Sequence, residues 1–175
     1  DMLDKYQSHY LNKVMRIKEN EIFSLFNNKG EWEAKILKIS KGLVEFEIIK
    51  QLRQTENIKD LWLAFSPIKS NYQNFMIQKA TELGVTKFLP IIFERTIVRR
   101  INVERLKKIA IEASEQSNRI NIPLIEQTQN LESFLNSNSV DLIFTDLNST
   151  NKKIDKSKLT SKPTCIIVGP EGDFS

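Results

Sequence analysis

An apolar stretch, Thr164–Val168, runs into Gly169-Pro170-Glu171-Gly172-Asp173-Phe174-Ser175. A glycine-rich turn at the carboxyl end of a buried strand lets a ligand approach the backbone, whose N–H and C=O groups can read it. The turn fits neither GxxxxGK[ST] nor GxGxxG, so it is not a Walker loop or a dinucleotide fingerprint. Taken alone it reads as a structural turn. The second chemical feature is arginine-rich. From Lys87 to Arg119 eight basic residues face four acidic ones, and Arg95, Arg99, Arg100, Arg105 and Arg119 are among them. Guanidinium is planar and makes forked hydrogen bonds to phosphate. On charge alone this stretch reads equally as a phosphate-binding surface and as a solvated one.

Other chemistries are excluded by count. One histidine, His9, and one cysteine, Cys165, cannot build a Cys/His zinc site or an internal disulfide. They also argue against a Cys-His or Ser-His-Asp hydrolase, because His9 would have to serve alone. The 175 residues carry a net charge of +4, with 40% hydrophobic and 27% charged residues, a globular profile. No apolar run approaches the length of a membrane span. The polar opening DMLDKYQSHY does not read as a signal peptide, and a single cysteine suits a reducing cytosol, so the expected location is cytoplasmic. Residues 150–162 carry five lysines and one aspartate and read as solvated surface.

The elements that must position these residues fall into two kinds. Glu21–Phe26, Trp32–Ile39 and Leu43–Ile49 are short and partly alternating, with Val44, Phe46 and Ile48 on one face. Turn signals separate them, and the spacing predicts a small barrel or curled sheet. His9–Arg16 before them reads as a short helix with Tyr10, Val14 and Ile17 on one side, and Gln51–Lys59 reads as a linker. Beyond it Leu61–Ser66, Lys87–Phe93, Val140–Asp146 and Thr164–Val168 read as buried strands. Helices are expected at 71–83, with a stripe of Tyr72, Phe75, Met76, Ala80 and Leu83 ending at Gly84, and from an Asn102 cap to about Ser117. A short helix fits Leu131–Leu135. Trp32 and Trp62 read as core anchors. Strands alternating with helices mean an α/β fold with a largely parallel sheet.

Three more segments, read in order with the GPEG turn, change the weighing. They are Gln78-Lys79-Ala80-Thr81-Glu82-Leu83-Gly84-Val85, Phe93-Glu94-Arg95-Thr96, and Glu112-Ala113-Ser114-Glu115-Gln116-Ser117-Asn118-Arg119 followed by Pro123. Together they resemble the bacterial enzymes that methylate N3 of a uridine in 16S ribosomal RNA, members of the knotted SPOUT methyltransferases. His9-Tyr10-Leu11 with Val14-Met15-Arg16 is similar to an element of that family's PUA-like RNA-binding domain. Asp173 stands where the family loop has a glycine. The family's opening strand is not seen, nor is the later Leu-Gly-x-Arg-Ile-Leu-Arg-x-Glu-Thr-Ala element that closes the knot. The expectation is thus a PUA-like β-rich domain at residues 1–56 and a SPOUT-like domain at 57–175, each incomplete at its outer end.

The resemblance implies S-adenosylmethionine as cofactor, no metal, 16S ribosomal RNA or the small subunit as partner, and a homodimer. It puts Gly169, Pro170, Glu171, Gly172 and Leu147 at the cofactor. It offers Arg119 and Arg95 for catalysis, and His9, Arg16, Lys69, Arg95, Gln116 and Arg119 for RNA contact. Each has a plainer reading: Arg119 as a charge at a helix C-terminus, Arg95 as a partner for Glu94, Lys69 and Gln116 as solvated surface. Glu82 reads as a partner for a lysine and Cys165 as core. A non-catalytic RNA-binding protein and a small-molecule α/β enzyme are the competing classes.

Overall fold

The structure is a computed structural model and describes residues 1–55, 58–145 and 153–170. The chain divides into two compact units, Asp1–Glu56 and Asn57–Ser175.

The first unit is a three-stranded antiparallel meander, β1 (Ile22–Asn27), β2 (Gly30–Ser40) and β3 (Leu43–Gln54). Register shifts at Glu31/Trp32, Glu33/Ala34 and Ile36/Lys38 bend β2 against β3. β3 runs on to Gln54, so the start of the expected linker is strand. Among the described residues the strands form an open sheet, not a closed barrel. Ala34, Ile36, Val44 and Phe46 make its buried face, whereas Ile48 is exposed although it pairs with the buried Ala34. Asp4 and Gln7 form a capping box on α1 (Lys5–His9), and a π-turn, Tyr10–Val14, follows. The helix thus lies earlier than expected, and it buries Ser8 and Leu11 while Tyr10 and Val14 face solvent. The reason is a hydrogen bond: Val44 N–H donates to Ser8 Oγ at 3.1 Å, fixing which side of this segment meets β3.

The second unit is a parallel sheet in the order β6-β5-β4-β9-β8. Its strands are β4 (Leu61–Phe65), β5 (Lys87–Ile92), β6 (Leu124–Ile125), β8 (Asp141–Phe144) and β9 (Thr164–Val168), with β7 (Gln129–Asn130) pairing β5. Successive side chains point to opposite faces. Phe65 and Phe88 pack under α2 (Ser70–Glu82) and α3 (Val103–Gln116) with Ile77, Leu106 and Ala110. Ala64, Leu89, Ile91, Cys165 and Ile167 pack on the other face with Phe134 of α4 (Leu131–Ser137). Helices on both faces explain the apolar runs of β4, β5 and β9. β8, expected to be buried, is the sheet edge, and Leu142 and Phe144 are exposed there.

The α2 stripe also differs from the reading. Gln73, Ile77 and Thr81 are buried, Met76 and Ala80 pack at the margin, and Tyr72, Phe75 and Leu83 are exposed. A buried glutamine defeats a hydrophobicity count. It is accommodated because its Oε1 accepts from Ile68 N–H at 3.2 Å. Both tryptophans are half-buried, and Trp62 lies 4.1 Å under the Lys87 ammonium.

Candidate active site

The strand order sets where a ligand can sit. From β4 the chain builds outward through β5 and β6 on one side, and β9 and β8 lie on the other. The order therefore reverses between β4 and β9, and in open α/β sheets ligands bind at the carboxyl ends of strands flanking such a point. Three strand ends meet there. The β4–β9 ladder stops at Phe65↔Val168 and the β8–β9 ladder at Phe144↔Ile167, so the backbone past Val168 leaves the sheet. Gly169 and Pro170 follow, both half-buried. Ser66 continues β4 and donates its N–H to Val168 O at 3.1 Å.

The third end is the turn after β5. Thr96 Oγ1 accepts from Phe93 N–H at 2.8 Å and lies 3.0 Å from Ser66 Oγ, with both hydroxyls buried. Thr96 N–H also donates back to Phe93 O at 3.2 Å. This closed turn ties the ends of β5 and β4 together and holds Arg95, one residue earlier, exposed at its tip. With neighbouring strands about 4.8 Å apart, the ends of β5 and β9 are separated laterally by about 10 Å. Arg95 and the Gly169-Pro170 backbone thus share one edge. Lys69 joins them there as the N-cap of α2, exposed and with no side-chain cap of its own.

Arg119 and Gln116 do not join this edge. A crossover helix starts at the carboxyl ends of the strands and finishes at their amino ends. α2 and α3 both end in Schellman turns. Gly84, at φ 103°, closes the first with Val85 N–H on Ala80 O, and Asn118, at φ 56°, closes the second with Arg119 N–H on Ser114 O. The second turn swings Arg119 onto the end of α2, where one guanidinium nitrogen donates to Thr81 O and to Val85 O, the latter at 3.1 Å. Val85 lies two residues before β5 begins. β5 spans about 20 Å at 3.3 Å per residue, so Arg119 is roughly that far from Arg95. Burial pushes its pKa below the ordinary arginine value. Its position answers the dipole of α2, not that of its own helix. The signal was present in the sequence: a motif at the end of a crossover helix belongs to the amino edge.

Of the other expected residues, Glu171, Gly172 and Leu147 lie outside the described residues. His9 ends α1 and Arg16 follows the π-turn at φ 56°, both exposed in the first unit. Glu82 meets Lys79 Nζ at 2.9 Å, and this contact holds its carboxyl below the usual range. Glu115, by contrast, is raised, first by burial and then by Glu112. Cys165 is fully buried, and burial pushes its thiol up to about 11. Sequence reasoning missed the Ser66–Thr96 pair, although Thr96 stood in the quoted segment; a threonine three residues after Phe93, the last apolar residue of that run, is the signal for such a turn.

Comparison with known proteins bears on this geometry. Residues 55–175 match the RNA methyltransferase domain family, and residues 3–49 match the RNA methyltransferase PUA domain. The chain is 34% identical over 181 residues to ribosomal RNA small subunit methyltransferase E of Rickettsia conorii, covering 100% of this chain and 73% of the relative. Among solved structures it is similar to ribosomal RNA small subunit methyltransferase E of Neisseria gonorrhoeae bound to S-adenosyl methionine. There the TM-score is 0.87 at 28% identity, over 100% of this chain and 76% of that one. A methyltransferase of Legionella pneumophila, in complex with the bound cofactor SAM, gives a TM-score of 0.85 at 27% identity, over 100% and 76%.

Proposed function

This chain belongs to the ribosomal RNA small subunit methyltransferase E family, and from that premise we propose that it methylates N3 of a specific uridine in 16S ribosomal RNA. It is an S-adenosylmethionine-dependent RNA methyltransferase whose first unit is PUA-like and whose second has the SPOUT fold. The observation that carries the finer reading is the meeting of the Gly169-Pro170 backbone and the Arg95 turn at the carboxyl edge beside β4 and β9.

The residues present fit the cofactor. Past Val168 the backbone has left the ladder, Val168 is 41% exposed, and neither Gly169 nor Pro170 carries charge. Backbone N–H and C=O groups there can read an uncharged heterocycle, and Glu171, Gly172 and Leu147 extend the same assignment in sequence. S-adenosylmethionine, when bound, supplies an electrophilic methyl group. Uracil N3 is a poor nucleophile until it loses its proton, and the charge then spreads onto the two carbonyl oxygens. Arg95 is the cation at this edge that stabilises that charge, and the Ser66–Thr96 clasp keeps it in place before the substrate arrives. Arg119 is assigned to the fold. Lys69 meets RNA phosphate, while His9 and Arg16 of the first unit grip the RNA by backbone and shape.

We place the enzyme in the cytoplasm as a homodimer acting on 16S RNA or the small subunit. Among the described residues no helix is long and apolar enough to cross a membrane. The dimer is supported by Tyr72 and Phe75 of α2 and its C-cap Leu83, large apolar side chains that are 61–81% exposed around the Lys79–Glu82 pair. The test is single-turnover methyl transfer by Arg95→Ala. The rate should fall about 10²–10³-fold with cofactor affinity unchanged, and an unchanged rate would sink Arg95. Deleting the gene should remove one N3-methyluridine from 16S RNA; if every such mark persists, the substrate is wrong.

A further inference from the structure

At the carboxyl edge a cleft of about 150 Å³ opens between the first turns of α2 and α3. Its wall includes Lys69, Asn74, Arg100, Asn102 and Arg105, and among the described residues no acidic side chain lines it. Lys69, Arg100 and Arg105 make no ion pair with any described residue. Glu104, the one acid in the first turn of α3, is taken by Lys107 at 2.9 Å. Three cations therefore line one cleft, and no carboxylate among the described residues pairs with them.

Two further observations point the same way. The first amides of α2 have no intrahelical acceptor, and its N-cap, Lys69, offers no side-chain oxygen to them. Asn74 Oδ1, in the wall of the cleft, is closed off from solvent and has no hydrogen-bond partner. Turning that amide over would place its NH₂ there, a donor with no acceptor among the described residues. Asn102 Oδ1 accepts from the backbone N–H of Arg105 at 3.0 Å, which caps α3 and fixes the backbone that carries this side chain at the cleft.

We propose that Lys69, Arg100, Arg105 and Asn74 form a subsite for the RNA backbone, taking phosphodiester groups of the strand that carries the target base. The inference rests on the functional reading above and adds what holds the strand in register. Arg95 sits on the same edge, in the segment that leads to Arg100. Phosphates seated in the cleft would therefore fix the position of a neighbouring base relative to Arg95. The site is sequence-blind, so base choice must come from elsewhere.

The experiment measures affinity of the full-length protein for a 16S RNA fragment containing the target, between about 50 and 200 mM salt. The double variant Arg100→Gln/Arg105→Gln should lower the slope of log K against log salt by about 1.4, about 0.7 for each single-strand phosphate released. S-adenosylmethionine affinity should not move. Arg100→Lys/Arg105→Lys should keep the slope, which separates lost charge from lost structure. An unchanged slope in the glutamine variant, with methylation intact, overturns the subsite alone. An equal drop in Lys158→Gln/Lys162→Gln, far from the cleft in sequence, would show a general charge effect and also overturn it. Saturable binding of inorganic phosphate that disappears in the glutamine variant, with the RNA slope unmoved, would make the cleft a free-anion site. If the unsubstituted protein neither binds nor methylates the RNA, the functional reading falls and takes the subsite with it.

Discussion

Arg119 holds its guanidinium against the carbonyls of Thr81 and Val85, closing the end of α2. Each bond is charge-assisted and partly buried, so Arg119→Ala should lower stability by about 2–3 kcal/mol in urea denaturation. Arg119→Lys should recover only part of that, since an ammonium lacks the planar fork. Methyl transfer per folded molecule should stay unchanged, whereas Arg95→Ala should do the opposite and leave stability within about 0.5 kcal/mol. The pair of arginines thus separates folding from chemistry by a crossed result. Cys165 gives a second test. A thiol buried and pushed up to about 11 is neutral at pH 8. It should react with a thiol reagent only as fast as the domain opens, and rapid native labelling would contradict its burial. Residue type was informative for Cys165, Glu82 and Asn102, whose surroundings are local or apolar. It misled for Arg119, because a guanidinium serves a phosphate, a substrate or a helix end equally well.

Elements were legible where local chemistry specifies them. Asn102 caps α3, Gly84 ends α2, and the apolar runs became β4, β5 and β9. The failures share a cause. The buried stripe of α2 includes Gln73 and omits Tyr72 and Phe75, and β8 sits at an edge. Which side of an element is covered depends on its neighbours, and composition along one segment does not contain them. The clasp between Ser66 and Thr96 is such a neighbour effect, joining segments 30 residues apart. Thr96→Val removes the acceptor of Phe93 N–H and strands a buried hydroxyl, which should cost about 1–3 kcal/mol. If the clasp positions Arg95, the methyl-transfer rate per folded molecule falls as well. A stability loss with an unchanged rate would make the clasp structural only.

At the scale of the whole molecule, association is the open physical question. The exposed Tyr72 and Phe75 of α2 and its C-cap Leu83 are large apolar groups, and covering them stabilises a dimer by removing that area from water. Light scattering should give twice the chain mass, and Tyr72→Ser with Phe75→Ser should shift it toward the monomer. Persistence of the dimer would place the interface elsewhere. The sequence by itself determined the two-part plan, the parallel α/β class, the order of the motifs and hence the family, because periodicity, caps and glycine turns are written in consecutive residues. Only the tertiary structure decided which motif residues can meet. A strand of six residues and a helix of fourteen each carry the chain across the sheet by about 20 Å. Arg95 and Arg119, both in matched segments, therefore end on opposite edges. Residue types do not record that separation; the direction of the crossover sets it.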